Sequence, residues 1–167
     1  EDLKIWSCPH FDRPEETGRH PAWRIERGQG ELAVEPANKC EGDGSLIFRY
    51  RQPDAREFGL EPVLDYDSQF PPLDLSDYIG LSVEVFSPDQ HVKHLRLLAA
   101  AGPEDAALSA LPARAAVPPA LRWQTITFPF GNLGDEEKKR IRRLVFLLED
   151  SKGKGTIYLD NIKLIRF

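Results

Sequence analysis

Apolar and polar residues alternate along most of this chain with a period of two, the repeat of a strand with one face buried and the other in water. The clearest run is Ser45 to Arg51, where Leu46, Phe48 and Tyr50 alternate with Ile47, Arg49 and Arg51. One face there is apolar and the other largely cationic. Behind Gly80, inward Leu81, Val83 and Val85 alternate with outward Ser82, Glu84 and Phe86, and further on Leu95, Leu97 and Ala99 alternate with His94, Arg96 and Leu98. The same pattern predicts strands at Leu3 to Ser7, Ala22 to Glu26, Glu31 to Glu35, Trp123 to Phe128 and Leu144 to Glu149, the last with Leu144, Phe146 and Leu148 inward. In the final stretch, Gly155 to Phe167, Ile157 and Leu159 are in phase, as are Ile162 and Leu164, but the phase slips by one residue at Asp160-Asn161. A β-bulge produces such a slip in a strand with one buried face.

Breaks between these runs carry turn and loop chemistry. Pro9 to Pro21 is a polar loop, and Arg27-Gly28-Gln29-Gly30 is predicted as a hairpin turn between its flanking strands. Gln52 to Pro72 is expected to be a long irregular connection holding Glu61, Tyr66 and Phe70. Gly102 to Ala120, rich in Ala and Pro, reads as a second connection with a short helix near Glu104 to Ala110. Asp135 to Arg143 is the best helix candidate, capped by Gly134 or Asp135, with acidic residues early and basic ones late as the helix dipole prefers. Strands at this spacing, with at most one or two short helices, predict an all-β antiparallel β-sandwich spanning residues 1–167 as a single domain.

Charge and composition narrow the function classes. A net charge of −5 argues against a general nucleic-acid binder and against anionic membrane surfaces, because both need a basic surplus. No apolar run approaches the ~20 residues of a membrane-spanning helix. There is no phosphate loop, nucleophile elbow or helical His pair, so the chain by itself is not expected to be an enzyme. The two cysteines, Cys8 and Cys40, are either one bridge across the N-terminal region or two reduced thiols. The chain contains no Met, and it is expected to be a piece of a larger protein.

With the runs EGDGSLIFRY, LDLSDYIGLSVEVFSPD, WQTITFPF and GTIYLDNIKLIRF, the chain resembles the carbohydrate-binding modules of the galactose-binding-like jelly-roll superfamily. These modules are found beside glycoside hydrolase catalytic domains. The resemblance implies a jelly roll that binds a polysaccharide or oligosaccharide, a neighbouring catalytic domain as partner, and an extracellular or periplasmic setting. It also implies a structural calcium where the turn Lys39 to Gly44, with Glu41 or Asp43, meets the carboxylate of Asp160. The family usually adds an acidic residue from the first strand, where this chain has Trp6-Ser7-Cys8-Pro9. The other reading of Asp160 and Asn161 is that they only stabilise a bulge by hydrogen bonds.

A sugar site needs an aromatic platform and planar hydrogen-bonding groups. On the sheet faces the alternation offers Arg49, Arg51, Glu84, Phe86, His94, Arg96 and Glu149. At the sandwich end the candidates are Trp23, Tyr66 and Phe70, with Trp6 beside them, whereas Trp123 is expected in the core. The competing reading of the face is a solvated surface with cross-strand pairs such as Glu84 with Arg96. The alternative function is a structural accessory domain of a secreted enzyme, without a sugar site.

Overall fold

The computed structural model of the chain describes residues 3–6, 23–37, 39–40, 44–51, 57–62, 74–102, 106–117 and 122–166. Among them the alternating runs form eleven strands: β1 (Leu3–Trp6), β2 (Trp23–Arg27), β3 (Gly30–Glu35), β4 (Ser45–Arg51), β5 (Phe58–Pro62), β6 (Tyr78–Phe86), β7 (His94–Ala101), β8 (Ser109–Ala116), β9 (Gln124–Pro129), β10 (Ile141–Glu149) and β11 (Lys154–Arg166). One sheet runs β3-β4-β11-β6-β9 with β1 also on β11, and the other runs β2-β5-β10-β7-β8. Every pairing is antiparallel, so the expected all-β sandwich is the observed architecture.

The inward sets read from the alternation meet between the two sheets. Leu46, Phe48 and Tyr50 of β4, Leu81, Val83 and Val85 of β6, Leu95, Leu97 and Ala99 of β7, and Leu144, Phe146 and Leu148 of β10 all lie in one core. Phe48, Tyr50 and Phe58 pack ring on ring, with Tyr50 and Phe58 centroids 4.3 Å apart. Burial pushes the Tyr50 phenol well above its ordinary acidity range, and the nearby Asp89 charge adds to the shift. Its hydroxyl lies so close under Gly155 that any Cβ there would collide with it. Truncating one of these fully buried rings to Ala costs about 3–5 kcal/mol.

β11 carries the slip where the alternation placed it. Asp160 faces Glu84 on β6, but the next paired residues are Lys163 and Ser82, so β11 spends one residue more than its partner. Asn161 takes up that residue with φ of 47°, a left-handed conformation that Asn tolerates better than most side chains. Ile162 and Leu164 then return to the core.

Several expected elements are different in the structure. Arg27-Gly28-Gln29-Gly30 is not a hairpin turn, since β2 pairs with β5 in one sheet and β3 with β4 in the other. It is a corner between sheets, where Gly28 at φ 93° lies so close to the Phe58 ring that a Cβ would overlap it. Within the connection expected at Gln52 to Pro72, Phe58–Pro62 forms β5. No helix forms at residues 106–110; Ser109–Ala116 is β8, which pairs only with β7, and an edge strand tolerates Pro112. The expected helix shrinks to α1 (Asp135–Lys138), with Gly134 as N-cap and its N–H donating to Glu137 Oε2 at 3.1 Å. From Ile141 onward the chain is β10, because Ile141 and Leu144 are buried only if the segment joins the sheet.

Outward from the five-stranded sheet, a carboxylate ties three strands together. Glu61 on β5 is 2% exposed and accepts hydrogen bonds from Arg143 Nε on β10 at 2.7 Å and from Arg24 Nε on β2 at 2.8 Å. Arg143 also reaches Glu26 at 2.9 Å. Burial pushes the Glu61 carboxyl upward, but the hydrogen bonds from Arg143 and Arg24 outweigh it and hold the acid below its ordinary range. Both guanidiniums are held more firmly protonated in return, chiefly by their bonds to Glu61.

Removing one partner of such a pair strands the others, at about 3–5 kcal/mol. Glu61→Ala should therefore lower the melting temperature markedly at neutral pH. Because the folded-state pKa of Glu61 is depressed, its contribution is present above the unfolded pKa and lost as pH falls through the folded value. The gap in melting temperature between the wild type and Glu61→Gln should narrow as solutions are taken below the ordinary carboxylate range. A gap that is constant with pH contradicts this account.

Candidate functional site

On the outward side of the five-stranded sheet, charged side chains line both sides of β10 and define the furrow. Val145 and Leu147 point away from the core yet are 2% and 8% exposed. The Arg24–Glu61–Arg143 cluster stands on one bank, on β2, β5 and β10. On the other bank, Arg96 of β7 donates from Nη1 to Glu149 Oε1 at 3.2 Å, and His94 Nδ1 lies 2.8 Å from Asp150 Oδ2. Register explains the juxtaposition, since Leu147 faces Arg96 and Glu149 faces His94 across the β10–β7 ladder. The Nε of Arg96 is buried and has no acceptor, and a buried donor without a partner costs free energy.

The sheet-face candidates divide between the two sides of the sandwich. Arg96, His94 and Glu149 belong to the furrow, whereas Arg49, Arg51, Glu84 and Phe86 lie on the outer side of the six-stranded sheet. The expected pair of Glu84 with Arg96 is therefore impossible. Glu84 instead accepts from Thr125 Oγ1 at 2.6 Å, and Arg96 takes Glu149. Phe86 sits in a cluster with Tyr158 of β11, which faces it in register, and with Trp123 just before β9. Arg49 and Arg51 are exposed on the neighbouring β4.

The end-loop candidates fare differently. Trp23 opens β2 and is 2% exposed, stacked on Phe146 with centroids 6.0 Å apart, so its ring is sealed in the core and has no face to offer a sugar. The expectation for Trp123 also reverses: its ring joins the half-buried outer cluster and not the core. Tyr66 and Phe70 lie outside the described residues, as does Cys8. Trp6 is placed by its backbone alone, paired with Ile162.

At the bulge, Asp160 is fully buried. Its Oδ2 accepts the Cys40 N–H at 2.8 Å and its Oδ1 accepts the Asn161 N–H at 2.7 Å, so it fastens the segment before β4 to the last strand. Two more oxygens close to the bulge, Asn161 Oδ1 and Ser82 Oγ, are buried without a hydrogen-bond partner. Oxygen donors of this kind suit calcium, which takes six to eight of them. Glu41 and Asp43 lie outside the described residues, and among the described residues no three acidic, His or Cys side chains gather as a metal cluster. The fit is thus one of donor type, centred on Asp160 and Asn161.

Arg24, Arg143, Val145 and Leu147 of the furrow, and Tyr158 of the opposite cluster, were not among the residues singled out from sequence. Tyr158 had a readable signal, because Thr156, Tyr158 and Asp160 share the outward phase opposite Ile157 and Leu159. Arg143 had none, since its segment carries the charge pattern of a helix end.

No protein-family model matches the sequence, and no curated protein matches it. Solved structures do. A family 11 carbohydrate-binding module from Clostridium thermocellum, in complex with a β-1,3-1,4-mixed-linked tetrasaccharide, is 16% identical with a TM-score of 0.62, over 99% of this chain and 95% of that one. The CBM22-1 xylan-binding domain from Paenibacillus barcinonensis Xyn10C is 15% identical with a TM-score of 0.57, over 100% and 94%. CBM28, a module specific for non-crystalline cellulose, is 10% identical with a TM-score of 0.65, over 99% and 98%. At these identities the shared property is the fold: this chain folds as the jelly-roll sandwich of those carbohydrate-binding modules.

Proposed function

We propose that the chain is a non-catalytic carbohydrate-binding module that holds a polysaccharide for a neighbouring glycoside-active catalytic domain, outside the cytoplasm. The observation that carries the reading is the row of planar guanidiniums fixed by carboxylates on the outer face of the five-stranded sheet, Arg24 and Arg143 on Glu61 and Arg96 on Glu149. Sugars present C–H faces ringed by hydroxyls, and planar donors held in fixed directions match the hydroxyl part of that chemistry. Fold neighbours whose ligands are a mixed-linked tetrasaccharide and xylan support the same class of ligand.

The furrow's charges are arranged for holding, not for proton transfer. A glycosidase needs a carboxyl with raised pKa as general acid. Glu61 is held as a carboxylate by two arginines, and Glu149 is paired with Arg96.

Binding should be weak, micromolar to millimolar, because hydroxyl contacts exchange against water. Arg96→Ala should reduce affinity for the recognised polysaccharide about tenfold, equivalent to ~1.4 kcal/mol, while Lys139→Ala, at the exposed C-cap of α1, leaves it unchanged. Affinity electrophoresis against a panel of soluble polysaccharides, with melting temperatures as the folding control, measures both. Retention of no polysaccharide by the wild type would leave the structural accessory domain as the better reading.

The same proposal includes a structural calcium at the bulge, held by Asp160 with oxygens from the turn before β4. A ligand that binds only the folded state raises stability by mass action. Excess chelator should lower the melting temperature of the wild type but not of Asp160→Asn. Equal melting temperatures with and without chelator, and no metal in elemental analysis, would leave Asp160 as a bulge residue that only accepts hydrogen bonds.

A further inference from the structure

We propose that the outer side of the six-stranded sheet carries a second glycan-contacting surface, centred on Phe86, Trp123 and Tyr158 and separate from the furrow. Outward positions of a half-solvated sheet are normally polar, and this face carries Glu31, Arg49, Glu84, Thr125 and Thr127, with Ile47 buried on β4 opposite Tyr158. Three aromatic rings from adjacent chain segments depart from that rule together. Phe86 faces Tyr158 in register on β6 and β11, and Trp123 follows where β9 lies against β6.

Their geometry suits a sugar better than it suits a sealed core. Phe86 and Trp123 are inclined by only 33° with centroids 5.7 Å apart, and Tyr158 stands steeply to both, at 65° and 68°. All three are half-buried, so each retains accessible ring surface. The outermost rings, Trp123 and Tyr158, have centroids 6.3 Å apart, so the cluster is one compact patch that a single sugar ring would cover. Hydrogen-bonding groups flank it on both sides. Glu84 and Thr125, joined at 2.6 Å, lie one step along their strands, and Arg49, exposed on β4, faces Thr156 on the other side. Ring faces for C–H stacking, bordered by a carboxylate, hydroxyls and a guanidinium, are the recognition elements of a carbohydrate.

Two sites on opposite faces make one module bivalent. The test uses the whole chain with xylohexaose and soluble β-1,3-1,4-glucan as probes, titrated calorimetrically, with turbidity of the long glucan reporting cross-linking. Phe86→Leu and Trp123→Leu keep apolar bulk while removing the rings, and melting temperatures verify folding. Each should abolish glucan cross-linking and leave the furrow's binding intact, Arg96→Ala should also abolish cross-linking but leave binding at the ring cluster intact, and Trp123→Leu combined with Arg96→Ala should bind both probes more weakly than either single variant. Wild-type affinity, stoichiometry and cross-linking in both ring variants would overturn the proposal. So would a sedimenting wild-type dimer that Trp123→Leu dissolves without change in glycan affinity, which would make the cluster a contact between copies of this chain. Loss of binding in the ring variants with none in Arg96→Ala would uphold this surface and refute the furrow. Failure of the wild type to bind either probe would refute both.

Discussion

The sandwich depends on one long strand that must stay in phase with the core on both sides of a bulge. β11 runs for 13 residues, pairs with β6 on one side, and on the other pairs first with β4 and then with β1. A strand of that length twists, and an uninterrupted alternation would carry its partners out of reach. The extra residue at Asn161 adds local twist and bends the strand. It also frees backbone groups that must be satisfied, since a buried unpaired N–H costs as much as a lost hydrogen bond. The Asp160 carboxylate meets that demand at two points, its own successor and Cys40, 120 positions upstream. One buried side chain thus closes the sheet at its seam and leaves oxygens there suited to a hard cation.

In and out were readable from the alternation; which sheet each strand joined was not. Period-two patterning says only that a side chain faces the core or solvent, and it is identical for a strand in either layer. Arg49 and Arg96 look equivalent in sequence, yet they lie on opposite sides of the protein. β5 was hidden because Gly59 and Pro62 punctuate a five-residue strand, and β8 because Ala and Pro filled it with weak strand formers. The segment after α1 shows tertiary structure overriding local preference. Its charges suit a helix, but Ile141, Leu144, Phe146 and Leu148 supply a buried face that fits between β5 and β7 as a strand.

The split between the sheets separates two chemistries. On the five-stranded side the polar groups are largely spent on one another, with Glu61 held by Arg24 and Arg143, and Arg96 by Glu149. Such pairs add little net stability over an apolar replacement once desolvation is counted. Their effect is to fix direction. Arg143 has 14% of its side chain exposed and two carboxylates to hold it, so its guanidinium plane is set by the fold.

That rigidity bears on binding because a shallow sugar site has little enthalpy to spare. Ordering one long side chain at the moment of association costs about 0.5–1.5 kcal/mol, comparable to the net worth of one or two hydrogen bonds to hydroxyls. Arginines already clamped by Glu61 and Glu149 have met that cost during folding. The clamp also keeps the carboxylates occupied, so the furrow does not repel an anionic glycan as unpaired acids would. Arg96 is clamped through Nη1 with its Nε buried, so what it can offer a ligand is the exposed part of a side chain that is 33% exposed. The guanidiniums of the furrow are therefore fixed in direction before any ligand arrives, which is what the proposed sugar site requires of them.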